Sequence, residues 1–215
     1  MPPASILPDL LPHARTLWLD LSKDNAELSA IDPADTPALS AYIDRALAIA
    51  GAQVGLGGYN EQRAWYERSE VFRVGDEYRS VHLGLDLWCP AGTRIASPLP
   101  SRVHSFADNA AFGDYGPTIL LEHPGQGLYS LYGHLARTSL QGLEKGQILD
   151  PGQTFATLGA PEENGGWPPH LHWQLITDIG DYQGDFPGVA TPSSAALWLA
   201  RCPDPAAFLP SEKHL

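Results

Sequence analysis

From about residue 71 onward, the chain is a series of short apolar runs separated by turn-forming residues, and this pattern restricts the folds open to it. Glycine and proline are frequent throughout, at 21 and 20 of the 215 residues. Both residue types favour turns and interrupt long helices. Regular short runs with turns between them are typical of a β sandwich or a partly closed barrel. We therefore expect a mainly β fold of antiparallel strands.

Eight runs have the length and composition of strands. They span residues 81–88, 94–96, 102–106, 117–123, 128–134, 147–149, 154–158 and 170–177. The N-terminal part differs, because it combines one predicted strand over 16–21 with one helix. That helix is predicted to have Thr36 as its cap, Pro37 at its first position and Gly51 just past its end. One or two short helices are predicted over 193–209.

These elements predict three parts. Residues 1–65 form an N-terminal extension of a strand plus a helix, residues 66–190 form the β domain, and residues 191–215 form a C-terminal helical tail packed on it. The cysteines Cys89 and Cys202 are too few for a disulfide scaffold, so we expect both to be small buried residues.

Charge and hydropathy exclude several classes of partner. The chain has 25 acidic and 13 basic residues, a formal net charge of −12, so its surface repels phosphate backbones and we expect no nucleic-acid partner. The longest apolar run, residues 46–52, is far shorter than the ~18 residues that cross a bilayer, so we expect no membrane insertion.

The N-terminal residues lack the pattern of a secretory signal. This predicts a cytoplasmic protein, or a periplasmic one if a leader has been removed.

The run 81–88 alternates leucine with polar residues, which places its leucines on a core face and His82 and Asp86 on the opposite face. On a straight strand at ~3.3 Å per residue, the Cα atoms of these two residues are about 13 Å apart, which is too far for one metal ion. Gly84 lies between them and is the natural place for a bend or bulge that brings them together.

Three further histidines occur near the ends of predicted strands. His170 and His172 are two residues apart, so their rings share one face of a strand, and His134 ends an aromatic-rich strand. One histidine of the pair can bind a metal while its neighbour faces the open coordination position. Imidazole and carboxylate are the ligands that zinc takes when thiolates are absent, and catalytic zinc sites use three protein ligands. Together these residues indicate a catalytic metal site.

The histidine motifs, in order and in flanking sequence, resemble those of the lysostaphin-type zinc metallopeptidases. They are His82-Leu-Gly-Leu-Asp86, Tyr132-Gly-His134-Leu and Pro169-His170-Leu-His172. This resemblance covers about residues 70–178. It implies the β fold of that family, with one zinc ion bound by His82, Asp86 and His172 and with His134 and His170 as the catalytic pair.

A longer likeness is to a metallopeptidase-like module that some bacterial proteins carry between a small-molecule kinase-like domain and an aminotransferase domain. The shared segments are residues 57–63, 164–172 and 185–188. This likeness extends over nearly the whole chain and allows a second function. The chain would then be a non-hydrolytic metal-binding accessory module that acts with kinase- or aminotransferase-type partners.

The first resemblance implies a zinc-dependent hydrolase that cleaves a peptide or amide bond with metal-activated water, so the partner is a peptide or a small amide substrate. The chain has no His-Glu-x-x-His motif, so no glutamate base of that kind is expected. His134 or His170 would take the proton from water, since imidazole titrates near neutral pH.

Tyr59, Glu61 and Arg63 follow the glycine-rich segment 55–58 and allow two interpretations. They could clamp a substrate, with Arg63 binding its carboxylate. Alternatively, arginine and glutamate form a surface pair beside a half-buried tyrosine. Two other histidines within or at the end of strands, His104 and His123, are expected to be structural.

Overall fold

The structure is a computed structural model and describes residues 3–11 and 13–209. Its strands are β1 (Thr16–Leu19), β2 (Val54–Gly57), β3 (Arg73–Val74), β4 (Glu77–Tyr78), β5 (Val81–His82), β6 (Leu85–Trp88), β7 (Arg94–Ala96), β8 (Ser101–Asn109), β9 (Gly116–His123), β10 (Leu128–Gly133), β11 (Ile148–Leu149), β12 (Thr154–Thr157), β13 (His170–Ile176) and β14 (Val189–Ala190). The α-helices are α1 (Thr36–Ala50) and α2 (Ala195–Leu199). Short 3₁₀ segments span Leu28–Ala30, Ala64–Arg68, Glu70–Phe72, Arg137–Leu140 and Pro205–Phe208.

Eight strands form one open sheet in the order β1-β2-β6-β13-β10-β9-β8-β11. Only the β1–β2 pair within it is parallel, and the other neighbours are antiparallel. The strands β1 and β11 occupy the two edges, so the sheet does not close into a barrel. Two-stranded sheets of β12 with β7, β14 with β5 and β3 with β4 complete the β structure of the described ranges. The mainly β fold predicted from the sequence is confirmed.

The predicted strand 81–88 is interrupted at residues 83 and 84, as expected from Gly84. Its first part, β5, pairs with β14, whereas its second part, β6, pairs with β2 and β13. The three leucines at 83, 85 and 87 are all fully buried. The alternation therefore predicted correctly that the leucines are buried, but they do not share one face. Leu85 and Leu87 enter the largest core, whereas Leu83, which precedes the bend, packs in another cluster. The glycine marks the change of strand partner.

The N-terminal residues join the main sheet through β1, which pairs with β2 in parallel register from Thr16 opposite Val54. Helix α1 ends at Ala50, and Gly51 caps it with a φ of 61°, in the left-handed region that favours glycine. The predicted cap is wrong by one residue, because the side chain of Asp35 accepts from the Ala38 amide. Thr36 instead donates its hydroxyl to the Gly166 carbonyl at 2.6 Å, which ties the helix start to the loop before β13.

The two faces of the sheet carry different side chains near its centre. Along β13, Leu171, Trp173 and Leu175 enter the largest apolar core together with Leu85 and Leu87 of β6. The other face of β13 carries His170, His172 and Gln174, all of them buried. On that second face, one apolar cluster includes Trp65, Trp88 and Trp167, and another includes Leu83 and Phe186. The polar residues of β13 are therefore enclosed by protein on a face that apolar residues do not fill completely.

The C-terminal residues form the short helices predicted there, and Asp204 caps the second one by accepting from the Ala206 amide. Residues 210–215 of the predicted tail lie outside the described residues, and the boundaries of the three predicted parts stay a prediction. Cys89 and Cys202 are buried and unpaired, as expected. No helix within the described ranges has the length and hydropathy needed to cross a membrane.

Candidate active site

Three buried side chains from separate strands converge on one point beside β6 and β13. Asp86 lies directly opposite His172 in the register of β6 with β13, and His82 comes from the end of β5. Asp86 Oδ1 is 3.2 Å from His82 Nε2 and 3.3 Å from His172 Nδ1, and these two nitrogens are 2.9 Å apart. The bend at Gly84 thus brings together residues that a straight strand would separate.

Hydrogen bonds on the far side of each ring determine which nitrogen carries the proton. His82 Nδ1 lies 2.8 Å from the Gly58 carbonyl oxygen, which can only accept, so this nitrogen donates. His172 Nε2 donates to Gln174 Oε1 at 3.0 Å, and the Gln174 amide is itself oriented because its nitrogen donates to the Pro187 carbonyl. Both imidazoles therefore direct an unprotonated nitrogen toward Asp86.

The carboxylate of Asp86 adds a third lone pair at the same point. Its Oδ2 accepts from Arg63 Nη1 at 2.5 Å, whereas its Oδ1 is buried and has no hydrogen-bond donor among the described residues. Burial alone would raise the pKa of Asp86, but the positive charge of Arg63 holds it well below its usual range, so the group is an anion. A buried anion and two lone pairs facing one another are unfavourable unless a cation lies between them.

The donor set fits zinc. Two ligand atoms at about 2.0–2.1 Å from a tetrahedral zinc ion are about 3.3–3.4 Å apart. The three measured separations, between 2.9 and 3.3 Å, lie close to that value. His82, Asp86 and His172 also form a possible metal-binding group by the spacing of their donor atoms. Two imidazoles and one carboxylate leave one position of a tetrahedral site for water or substrate.

The remaining two predicted histidines lie beside this group. The rings of His134 and His170 have their centroids 4.2 Å apart, and His170 Nε2 is 3.9 Å from Asp86 Oδ1. His134 Nδ1 donates to the Asn164 carbonyl and His170 Nδ1 donates to the Pro168 carbonyl. Each of these rings therefore has its Nε2 unprotonated and able to accept a proton. The ring of His170 also stacks on Trp88 at 4.0 Å, which fixes its plane.

His134 has an unusual backbone conformation, with a φ of 62°. Residues other than glycine adopt the left-handed region infrequently, and such residues are enriched at functional sites. Here the conformation is held by two backbone hydrogen bonds, from His134 N to Tyr115 O and from Gly159 N to His134 O. Strand β10 ends at Gly133, and this turn of the backbone brings the ring of His134 beside that of His170.

Burial keeps His82, His134 and His170 neutral at ordinary pH. It lowers the pKa of His170 to about 4, and together with the positive charge of Arg63 it lowers the pKa of His82 to about 4. Burial and the neighbouring His170 hold the pKa of His134 well below its usual range. Neutral imidazole is the form that binds a metal or accepts a proton.

A cavity of about 120 Å³ is lined by Asp86, His134, His170 and His172, whereas His82 is not among its lining residues. A cavity of this size admits a group of side-chain size. Its walls are largely aromatic and include Trp65, Tyr66, Phe72, Tyr115 and Trp167. Three charged side chains, Arg79, Asp114 and Asp185, also line it.

The sequence left the roles of Tyr59, Glu61 and Arg63 open, and the structure shows what each of them contacts. Arg63 is 1% exposed and lines the cavity, so the surface-pair interpretation is wrong for it, and its guanidinium binds Asp86 rather than projecting toward a substrate. Glu61 accepts from Arg63 Nε at 2.7 Å. Tyr59 donates to the Cys202 carbonyl and so attaches the C-terminal residues. Sequence spacing gave no signal for the Arg63–Asp86 pair, because the two residues are far apart in the chain.

Two other histidines lie away from the site, where they form local contacts. His123 is fully buried and its ring nitrogens bond to the Ser130 hydroxyl and the Pro100 carbonyl. His104 bonds to the Ser105 hydroxyl. Among the tryptophans, Trp88 and Trp167 line the cavity, and Trp173 is in the main core.

Comparison with known proteins adds an independent finding. Residues 80–183 match the model of peptidase family M23, and this range contains His82, Asp86, His134, His170 and His172. The L-Ala–D-Glu endopeptidase of Bacillus subtilis (strain 168) is 26% identical over 113 residues, which is 50% of this chain and 33% of the relative. The chain therefore spans about a third of the length of this curated relative.

Two solved structures have similar sequences over part of the chain. A putative peptidase M23 from Pseudomonas aeruginosa is 25% identical, with 61% of this chain and 45% of that chain covered and a TM-score of 0.40. A zinc-containing peptidase from Vibrio cholerae is 27% identical, with 48% and 29% covered and a TM-score of 0.37. The family match and the curated relative support the peptidase family M23 for this chain, the lysostaphin-type family that its histidine motifs resemble.

Proposed function

We propose that this protein is a zinc-dependent hydrolase that cleaves a peptide or amide bond. The observation that carries the proposal is the set of three buried lone-pair donors, on His82, Asp86 and His172, which face one another beside two neutral imidazoles. The family match and the endopeptidase relative support the coarser statement that the chain is a peptidase. The choice of zinc and the role of each residue are part of the proposal.

In this proposal, His82, Asp86 and His172 would hold one zinc ion. A zinc ion bound by such a set supplies Lewis acidity, which polarises a carbonyl group and makes water more acidic. The outer nitrogens of the two histidines already have acceptors, since His82 Nδ1 donates to the Gly58 carbonyl and His172 Nε2 donates to Gln174 Oε1. Such partners orient metal ligands and raise their basicity.

His134 and His170 would move the protons. Each has an unprotonated Nε2, so either ring can accept a proton from the attacking water and later give it to the leaving amine. The other ring can donate a hydrogen bond to the oxygen that becomes negative during the reaction only after it has taken up a second proton from solvent. The aromatic walls would exclude bulk water from these steps and thereby strengthen the electrostatic interactions.

The substrate would be a peptide or small amide that inserts one side-chain-sized group into the cavity. Two of its walls come from outside the family match, over residues 63–79 and 185–189. We propose that these walls select the substrate. The relative's name makes L-Ala–D-Glu bonds one candidate, and glycine-rich peptides are another. A cytoplasmic location, expected from the N-terminal sequence, stays a prediction.

The test is a peptide-cleavage screen with metal control. Purified protein is stripped with a chelator, reloaded with one equivalent of zinc, and incubated with glycine-rich peptides, peptides that contain L-Ala–D-Glu bonds and small amides. We expect cleavage that chelation abolishes and zinc restores. Stoichiometric zinc binding without cleavage of any member of the panel would favour the accessory-module function, and cleavage that is insensitive to chelation would contradict the metal mechanism.

A further inference from the structure

A buried arginine from outside the family-matched range contacts one of the proposed metal ligands. Arg63 comes from the segment between β2 and the 3₁₀ turn Ala64–Arg68, whereas the match to peptidase family M23 begins at residue 80. Its side chain is 1% exposed, and Nη1 lies 2.5 Å from Asp86 Oδ2. The contact leaves Asp86 Oδ1 as the oxygen that faces His82 and His172.

The other nitrogens of the guanidinium hold Arg63 in place. Nε donates to Glu61 Oε2 at 2.7 Å, Nη1 also donates to the Tyr66 hydroxyl at 3.2 Å, and Nη2 donates to the Gly58 carbonyl at 3.3 Å. Gly57 makes room for this arrangement, because a Cβ at that position would lie 2.9 Å from Arg63 Nη2. Because all three guanidinium nitrogens of Arg63 donate hydrogen bonds within the protein, the side chain has little freedom to turn toward a substrate.

The same segment orients a second proposed ligand. The Gly58 carbonyl accepts from both His82 Nδ1 and Arg63 Nη2. Backbone hydrogen bonds join the segment to β5, from Asn60 N to His82 O and from His82 N to Glu61 O. Asn60 has a φ of 55°, which turns the chain back between Gly58 and Glu61. Residues 58–63 therefore contact the outer sides of both His82 and Asp86.

We propose that Arg63 is a positioning residue for the metal site, and that residues 58–63 act as a brace that directs Asp86 Oδ1 and His82 Nε2 toward one point. This inference rests on the proposed function, since it takes His82, Asp86 and His172 as the ligands. A bidentate-capable guanidinium suits the task better than an ammonium, because its planar donors fix the orientation of a carboxylate as well as its charge. The geometry of the metal site within residues 80–183 would then depend on residues 58–63, which precede that range.

The experiment measures zinc affinity rather than turnover. Wild-type protein, Arg63→Gln, Arg63→Lys, Glu61→Gln and Arg102→Gln are stripped of metal and titrated with zinc against a chromophoric chelator, after circular dichroism has confirmed folding. Outer-shell partners typically contribute about 10- to 100-fold in metal affinity. We expect a loss of that size for Arg63→Gln, a smaller loss for Arg63→Lys, and a loss below about tenfold for Glu61→Gln, which leaves the Asp86 contact intact. Arg102→Gln is the matched control, because its pair with Glu122 is at the surface, and it should have wild-type affinity.

A folded Arg63→Gln protein with wild-type zinc affinity would overturn the proposal. If Arg63→Gln does not fold, the Arg63→Lys protein is loaded with cobalt(II) and its visible absorption spectrum is compared with that of the wild type. A shifted spectrum indicates an altered ligand geometry and supports the positioning role, and an unchanged spectrum with unchanged affinity overturns it. Asp86→Asn separates the two levels of inference. If Asp86→Asn binds zinc as tightly as the wild type, both the proposed ligand set and the positioning role of Arg63 are wrong. If Asp86→Asn binds zinc weakly but Arg63→Gln binds it normally, only the positioning role is wrong.

Discussion

Asp86 and His172 face each other across the β6–β13 pair, with Oδ1 of the carboxylate 3.3 Å from Nδ1 of the ring. Neither atom carries a proton, so the pair does not form a hydrogen bond. The short separation between two acceptors is favourable only when a positive charge lies near both of them. This relationship leads directly to a prediction about metal binding.

Asp86→Asn and His82→Ala should each weaken zinc binding by more than the roughly 10- to 100-fold that an outer partner costs, because each removes a direct ligand. The measurement is bound zinc per chain by mass spectrometry after dialysis against a weak chelator. His104→Ala is the control, since that histidine bonds only to Ser105 among the hydrogen bonds described. Both variants retaining one zinc per chain would show that the ligands have been misassigned.

His134→Ala should keep bound zinc and lose hydrolysis. His134 contributes no atom to the three-donor group, but its unprotonated Nε2 lies beside His170 at the cavity. Removal of a general acid–base group typically lowers the rate by about 10²- to 10⁴-fold. The rate is measured on whichever peptide the cleavage screen identifies, with zinc content determined on the same sample. Unchanged turnover in the zinc-loaded variant would remove His134 from the mechanism.

Gly84→Ala should displace His172 and weaken metal binding. A Cβ at Gly84 would lie 2.8 Å from the His172 ring and 2.8 Å from the Trp173 carbonyl oxygen, which is closer than real contacts allow. Gly125→Ala is a matched control, because a Cβ there meets nothing within 4 Å. We expect a lower zinc affinity and a lower unfolding temperature for Gly84→Ala only. Equal values for the two variants would mean that the close approach at Gly84 does not hold His172.

The metal-free protein should lose stability as the pH falls from about 6.5 to about 4. His82 and His170 have pKa values lowered to about 4 in the folded chain, against 6.5 in an unfolded one. Within this window the unfolded chain binds more protons than the folded chain, so acid favours unfolding. The measurement is the urea midpoint of chelator-treated protein at about pH 7 and about pH 5. Replacement of both histidines by glutamine should make the urea midpoint depend less strongly on pH. A wild-type midpoint that does not change between these two pH values would contradict the lowered pKa values.

The sequence predicted the local elements well because they depend on short-range patterns. The alternation of leucines around His82 and Asp86 indicated that the leucines are buried, although Leu83 packs in a different cluster from Leu85 and Leu87, and Gly84 indicated the bend. Proline at the second residue of α1 and glycine after its end indicated its bounds to within one residue. The identity of the cap was missed because Asp35 and Thr36 are both good caps, and the tertiary contact of Thr36 with Gly166 decided between them.

Contacts between distant segments could not be predicted in the same way. Nothing in the spacing of Arg63 and Asp86 indicates that a buried guanidinium joins them, because their contact depends on how β2 and β6 pair. The left-handed backbone of His134 could not be predicted from the sequence either, since only a small fraction of histidines adopt it. The positions that resisted prediction are those where the site imposes a conformation that local preferences do not favour.

The separation in sequence of the three proposed metal ligands also has a consequence for when the protein can bind its metal ion. The three donors of the proposed metal group come from residues 82, 86 and 172, so the last of them is synthesised 90 residues after the first. Until β13 inserts between β6 and β10, early capture of an ion could involve only a partial set of donors, which binds more weakly. Zinc uptake would therefore follow insertion of the central strand, and the ion would then stabilise the completed sheet by mass action.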